Sequence, residues 1–455
     1  MLSSINPTTG EVIAEWPSLN AEELDMRIEC ASKAFSAWRQ TSFAHRASAL
    51  KRIASALRER KVALAEMMAR EMGKPVAEGV PEVEKGAWCL EHYADNAEAY
   101  LAEQEIPSDA MRSCVSYEPL GVVLAILPWN APCWLPFRCL APSLMAGNVC
   151  AMKHDPLVQG TAAMLMEAFA HAELPEGVVV NLPLENSLVE RAIRHRGVAA
   201  VSFTGSARTG AEVAALAASE IKPVVLELGG SDPCVVLNDA DLERAADTAT
   251  LSRMINAGQS CIAAKRIIVE RGIYDQFLAM LEERLPRLLM GDPLNPETTL
   301  GPLARADLRA TLHRQVELSV EEGARLRLGG HIPDGPGFFY PPTLLSGVGP
   351  GMTVFDEETF GPVMVVCPAE DTEHALQLAN HSMYGLGAAI WTHDSGKIQH
   401  FVRELQAGQV AVNGIVKTDP RLPSGGIKRS GIGRELGPHG IHEFVNAKQV
   451  WLGKA

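Results

Sequence analysis

Four short segments of this sequence carry residues able to act on a small polar molecule, and each follows an apolar run or a helical stretch. Pro128-Trp129-Asn130 comes directly after the run Gly121–Leu127. A side-chain amide there can donate a hydrogen bond to an oxygen that gains negative charge during a reaction. Pro and Asn together also make ordinary turns. Phe203-Thr204-Gly205-Ser206, with Gly210 four residues on, ends one run and opens a helical stretch. Small residues at a helix start let a phosphate approach free backbone N–H groups, although the G-x-x-x-x-G spacing is not the usual dinucleotide fingerprint. Gly431-Ile432-Gly433, with Gly437 one residue too late and no strand before it, is set aside as a decoy. Glu227-Leu228-Gly229-Gly230 ends the run Val224–Leu228, where a carboxylate is either a general base or a solvated strand end. Asn256-Ala257-Gly258-Gln259-Ser260-Cys261 places a thiol in a Gly/Ser-containing loop, a setting for a thiolate nucleophile. The commoner fate of a free cysteine is burial, and Cys139 and Cys150 sit in apolar surroundings of that kind.

The elements that must position these residues alternate. Runs rich in β-branched residues at Gly121–Leu127, Val149–Met152, Val178–Leu182, Val198–Phe203 and Val224–Leu228 are separated in several places by helical patterns such as Gln159–His171. This alternation predicts βαβ units and a mostly parallel sheet. A second α/β block is expected from Cys234–Leu237, Asp241–Asn256, Arg266–Glu270 and Tyr274–Leu289, continued by Met364–Cys367 and Glu373–Ala379. Before the first run, Leu24, Ile28, Ala31, Phe35 and Trp38 predict one helical face over residues 20–40, capped by Asn20 and Glu23. Two more helices are expected, from Ala47 to Met72, ended by Gly73 and Pro75, and from Pro81 to Ala102. Phe444–Leu452 reads as a strand with no local partner, of the kind that pairs elsewhere. Ligands of α/β folds sit at the ends of parallel strands, where Asn130, Ser206 and Glu227 fall.

Composition narrows the classes. The chain of 455 residues has 41 basic and 55 acidic residues, a net charge of −14, which argues against nucleic acid and anionic membranes as partners. Nine cysteines without a CxxC pair suggest neither a zinc site nor a disulfide scaffold, and no metal is expected. The first residues show no secretory pattern, and the longest apolar stretch is broken by Asn130 and three prolines, so a cytoplasmic protein is expected.

Each segment alone has a bland structural explanation. In combination, order and spacing resemble the aldehyde dehydrogenase superfamily. Asn6-Pro7-Thr8-Thr9-Gly10-Glu11, Glu357-Glu358-Thr359-Phe360-Gly361-Pro362, Gly425-Gly426-Ile427-Lys428 and Ser430-Gly431-Ile432-Gly433-Arg434-Glu435 extend the likeness over essentially the whole chain. The resemblance implies that Cys261 attacks an aldehyde carbon, that Asn130 and the Cys261 N–H hold the oxyanion, and that Glu227 activates the water that cleaves the thioester. It implies NAD or NADP as hydride acceptor, with Trp129, Lys153, Pro156, Ser206, Ala207, Leu228, Glu358 and Phe360 along the cofactor. This chain has Lys153-His154-Asp155-Pro156 where the family often has Lys-Pro-Ser-Glu, so the carboxylate that repels a 2′-phosphate is missing and both cofactors stay open.

Arg138, eight residues after Asn130, resembles the arginine of succinate-semialdehyde dehydrogenases, and a guanidinium can clamp a carboxylate through two hydrogen bonds. An internal salt bridge is the alternative role. Trp134 and Ser424 are expected along the substrate tunnel. Lys417 and Arg421, in a segment that resembles short bacterial members, offer two more cations. Ser424 and Ala131 replace common phenylalanines, which leaves broader aldehydes open, glutarate semialdehyde among them. A non-catalytic homologue and a cysteine hydrolase using Cys261 and Glu227 are the competing classes.

The implied architecture is α/β and aldehyde dehydrogenase-like. A Rossmann-type cofactor domain takes residues 1–105 and 123–228, and an α/β catalytic domain takes 229–416. A small β oligomerisation flap of 106–122 and 417–455 would serve a homodimer or homotetramer by completing a partner's sheet.

Overall fold

The computed structural model describes residues 1–453. The apolar runs become strands because residues such as Val122–Ile126 and Val149–Lys153 are buried along their whole length. Continuous apolar runs suit parallel strands with helices on both faces. A six-stranded sheet has the order Gly431–Ile432, Val224–Glu227, Val198–Thr204, Val122–Ile126, Val149–Lys153, Val179–Asn181, and only the first pair is antiparallel. From Val122–Ile126 the order runs outward in both directions. Crossovers therefore leave to opposite faces and open a crevice beyond the strand ends. Asn130 and Ser206 follow the two strands that flank this switch.

A seven-stranded sheet has the order Arg325–Leu328, Thr343–Ser346, Val363–Ala369, Ala264–Glu270, Asp232–Val236, Gly387–Trp391, Gln409–Val412. Its strands feed two cores by alternation. Val235, Ile268, Val365 and Ile390 pack on one face, and Val236, Ile267, Val366 and Trp391 on the other. No helix among the described residues is long and apolar enough to cross a membrane.

Several expectations need correcting. The stretch from Ala47 to Met72 is two helices, Phe43–Glu59 and Lys61–Met72, broken at Arg60. The next helix starts earlier, at Val76 behind Pro75, and runs through Pro81 to Tyr100, because a proline in the second turn removes only one backbone bond. The C-terminal strand Val445–Leu452 does have a partner in its own chain: it pairs along its length with Arg112–Pro119, which also pairs with Gln104–Glu105. Its outer edge stays open in this three-stranded sheet. Residues assigned to the flap before this strand lie elsewhere. Gly431–Ile432 extends the six-stranded sheet, with Gly431 at φ +148°, where a Cβ would collide with the Leu226 carbonyl. The decoy glycines are thus a strand that needs close backbone approach.

Candidate active site

The nucleophile loop is held in an unusual backbone shape. Asn256, Ala257 and Gly258 all have positive φ, at 54°, 51° and 71°. Two non-glycine residues in this region are costly and persist only where the surroundings enforce them. Those surroundings are visible. The Asn256 N–H donates to Glu78 Oε2 at 2.7 Å, and its side-chain amide donates to the carbonyls of Asn130 (2.9 Å) and Gln259 (3.2 Å). A Cβ on Gly258 would collide with the Gly361 carbonyl. Arg253, fully buried, donates to the carbonyls of Gly258, Thr359, Gly361 and Val363 and so ties this loop to the Glu357–Pro362 segment.

The loop delivers Cys261, half-buried, to a cavity of 270 Å³. Asn130, Ala131, Trp134, Arg138, Lys85 and Thr418 line the same cavity. One amide hydrogen of Asn130 goes to the Gln259 carbonyl at 3.1 Å. The amide carries a second hydrogen, which is left for a ligand oxygen. Burial pushes the Cys261 thiol up to about 11, against the pull of Lys265 and Arg138. The resting sulfur is therefore protonated at neutral pH, and attack requires a proton acceptor.

Glu227, the last residue of its strand, is buried, and its Oε2 accepts from Arg138 Nη2 at 2.8 Å. Arg138 Nε lies 2.5 Å from Glu435 Oε2, and Nη2 also donates to the Ser424 hydroxyl at 3.3 Å. The guanidinium is thus shared by two carboxylates, as the internal salt-bridge alternative described. A buried cation without such partners would be strongly destabilising. No hydrogen bond or ion pair involves Nη1 among the described residues. Burial raises the Glu227 carboxyl to about 7; Arg138 opposes this and Glu435 adds to it. Gly425, at φ +148°, makes room for the side chain, since a Cβ there would stand 2.6 Å from Glu227 Oε1.

On the other side of Cys261, the Lys265 ammonium donates to the Cys261 carbonyl at 2.6 Å and pairs with Glu358 Oε1 at 3.1 Å. Glu358 also accepts from the Gly230 N–H at 3.2 Å, and a Cβ on Gly229 would strike its other oxygen. Trp129 and Phe360 meet edge to face at 5.8 Å. Leu228 packs on Gly210 of the helix Ala207–Ser219. Ser206 caps that helix through the Thr209 N–H, and its first turn leaves donors for an anion. Lys153, buried at its strand end, donates to Asn186 Oδ1 at 3.1 Å. Pro156 opens a short 3-10 turn capped by Asp155. The Trp129–Phe360 edge-to-face pair, the fixed Glu358 carboxylate, the helix N-terminus at Ser206 and the buried Lys153 are groups whose chemistry suits a nicotinamide dinucleotide.

The structure therefore gathers Cys261, Asn130, Trp134 and Arg138 at one cavity, with Glu227 and Ser424 joined to it through Arg138. Two expected cations do not line it. Lys417 is exposed, and Arg421 pairs with Asp419 over the Trp88 ring. Sequence reasoning missed Lys265, Arg253, Asn256, Lys74 and Lys85. A lysine and an arginine inside the buried strand Ala264–Glu270 were the one available signal, because charge in such a strand needs a purpose.

Residues 1–450 match the aldehyde dehydrogenase family. The NAD(P)+ succinate semialdehyde dehydrogenase Sad of Escherichia coli K12 is 44% identical over 448 residues, covering 98% of this chain and 97% of that protein. The NADP(+) succinate-semialdehyde dehydrogenase 1 of Mycobacterium bovis is 44% identical over 456 residues, covering 99% of each. The crystal structure of succinic semialdehyde dehydrogenase from Streptococcus pyogenes in complex with NADP+ superposes with a TM-score of 0.97 at 33% identity, covering 100% of both chains. Motifs and fold agree with these matches, and the chain belongs to the aldehyde dehydrogenase family.

Proposed function

We propose that this protein oxidises succinate semialdehyde to succinate with NAD+ or NADP+. The observation that carries the reading is the shared cavity: Cys261, an oxyanion donor at Asn130 and a guanidinium at Arg138 face one space, and Lys265 bridges the Cys261 carbonyl to Glu358.

The chemistry follows from the residues. The Cys261 thiol loses its proton to water as sulfur bonds to the aldehyde carbon, so that Glu227, raised to about 7, stays free as the base of the later step. The new oxyanion is held by the free hydrogen of the Asn130 amide and by the Cys261 N–H. A bound nicotinamide dinucleotide supplies the hydride acceptor, held by Trp129, Lys153, Ser206, Ala207, Leu228, Glu358 and Phe360 beside the Pro156 turn. Sulfur remains bonded to the acyl carbon as a thioester. Glu227, turned away from Arg138, then takes a proton from water as it attacks; Asn130 holds the second oxyanion, the C–S bond breaks as that oxyanion collapses to succinate, and the proton passes from Glu227 to the departing Cys261 sulfur. Arg138, with Nη1 unengaged by Glu227, Glu435 and Ser424, is the group that meets the substrate carboxylate, with Trp134 and Ser424 shaping its surroundings.

The open edge of Val445–Leu452 supports homo-oligomers built by edge pairing, with residues 106–122 and that strand as the flap. A cytoplasmic location completes the reading. The test is a steady-state matrix of succinate semialdehyde, glutarate semialdehyde and butanal, each with NAD+ and NADP+. Reduced cofactor should form fastest with succinate semialdehyde and not at all in Cys261→Ala. Turnover that survives loss of the sulfur overturns the proposal.

A further inference from the structure

We propose that Lys85 is a second anchor for the substrate carboxylate and, with Arg138, sets the preference for aldehydes that carry one. The inference rests on the substrate reading above and adds a residue from the helix Val76–Tyr100.

Three cations line the cavity that holds Cys261: Lys74, Lys85 and Arg138. Lys74 is committed, because it is clamped to Glu82 and donates to the Asn130 carbonyl at 2.9 Å. Arg138 is divided between Glu227 and Glu435. With both carboxylates ionised, that group of three carries one net negative charge and by itself repels an anion. Lys85 is the one lining cation with no carboxylate within 4.0 Å among the described residues. Its ammonium donates to the Thr418 hydroxyl at 2.6 Å and stands 4.5 Å from the centre of the Trp134 ring. The aromatic face and the hydroxyl fix its direction without neutralising its charge. An ammonium has three donors, and one is used.

The electrostatics agree. Burial lowers the Lys85 pKa to about 8; Arg138 adds to this, while Glu82, Cys89 and Asp419 oppose it. A partly desolvated cation beside another cation is relieved by an incoming anion. Succinate semialdehyde brings one such anion at the end opposite its aldehyde, so the carboxylate can lie between Lys85 and the free edge of Arg138 while the carbonyl meets Cys261.

The test compares kcat/KM for succinate semialdehyde and for butanal, the uncharged aldehyde with the same number of carbons, in the wild type, Lys85→Met and Lys85→Arg. Charge-assisted bonds of this kind set the scale: the ratio should fall roughly ten- to a hundredfold in Lys85→Met, through KM, and recover largely in Lys85→Arg. Succinate, as a competitive inhibitor of butanal oxidation, should weaken by the same factor. If Lys85 only props Thr418 or the fold, both aldehydes suffer alike, and an unchanged ratio overturns the inference. A wild type that shows no preference for the carboxylated aldehyde overturns the substrate reading itself, and the inference with it.

Discussion

Replacing Glu435 by glutamine should move the acid limb of the pH profile. Glu227 and Glu435 share one guanidinium, 2.8 Å from Nη2 and 2.5 Å from Nε of Arg138. Two ionised carboxylates on one guanidinium repel, and at a separation of about 6 Å with an effective dielectric constant of about 20 the repulsion is about 3 kcal/mol. That energy corresponds to roughly two pK units. Glu435 is therefore a substantial part of what holds Glu227 near 7, next to burial itself. The amide in Glu435→Gln keeps the shape, removes the repulsion and leaves Arg138 to Glu227 alone. The expected result is an acid limb of kcat that shifts from about 7 toward about 5, with a lower plateau because the carboxylate becomes a weaker base and leaves Arg138 less readily. The assay is kcat against pH at saturating aldehyde and cofactor, with a solvent isotope effect to show that the proton-transfer step is observed. A limb that stays near 7 would refute the electrostatic coupling of the two glutamates.

Other expectations follow from the same geometry. Gly425→Ala places a methyl 2.6 Å from Glu227 Oε1 at a φ of +148°, so kcat should drop by at least tenfold while cofactor binding, followed by fluorescence quenching, holds. Asp232 is buried with Oδ2 unpartnered, and burial raises its pKa from 3.8 to about 7 against Lys265 and the Gly387 N–H. A carboxyl raised in the folded state stabilises fully below its unfolded pKa and loses that contribution as pH climbs through the folded value. Asp232→Asn should therefore gain on the wild type between about pH 4 and pH 8, by on the order of 4 kcal/mol at most, read from urea midpoints. A difference that does not change with pH contradicts the assignment.

Legibility in the sequence followed distance along the chain. Asn130, Ser206 and Glu227 stand out in the sequence because a strand end is a local pattern, and all three do follow or end strands of the six-stranded sheet. Cys261 was found through its small-residue loop. The left-handed backbone at Asn256 and Ala257 was not legible, since it is enforced by Glu78, Asn130 and Gly361, more than a hundred residues away in each case. Arg138 lines the cavity, but its two glutamate partners come from positions 227 and 435 and leave no periodic trace. The partner of the last strand was hidden for the same reason: antiparallel pairing of Val445–Leu452 with Arg112–Pro119 spans over three hundred residues. Lys85 shares its helix with Glu82 and Glu84, and only the fold separates a cation at the cavity, unpaired among the described residues, from Glu82, paired with Lys74, and Glu84, paired with Arg58 and Lys61.

The most direct test of the account is mass spectrometry of Glu227→Gln after mixing with succinate semialdehyde and oxidised cofactor. With the water-activating carboxylate gone, a succinyl group should remain on the peptide that contains Cys261, with one reduced cofactor formed per modified site. Reduced cofactor without that adduct, or an adduct on any of the other eight cysteines, would contradict the assignment of the nucleophile.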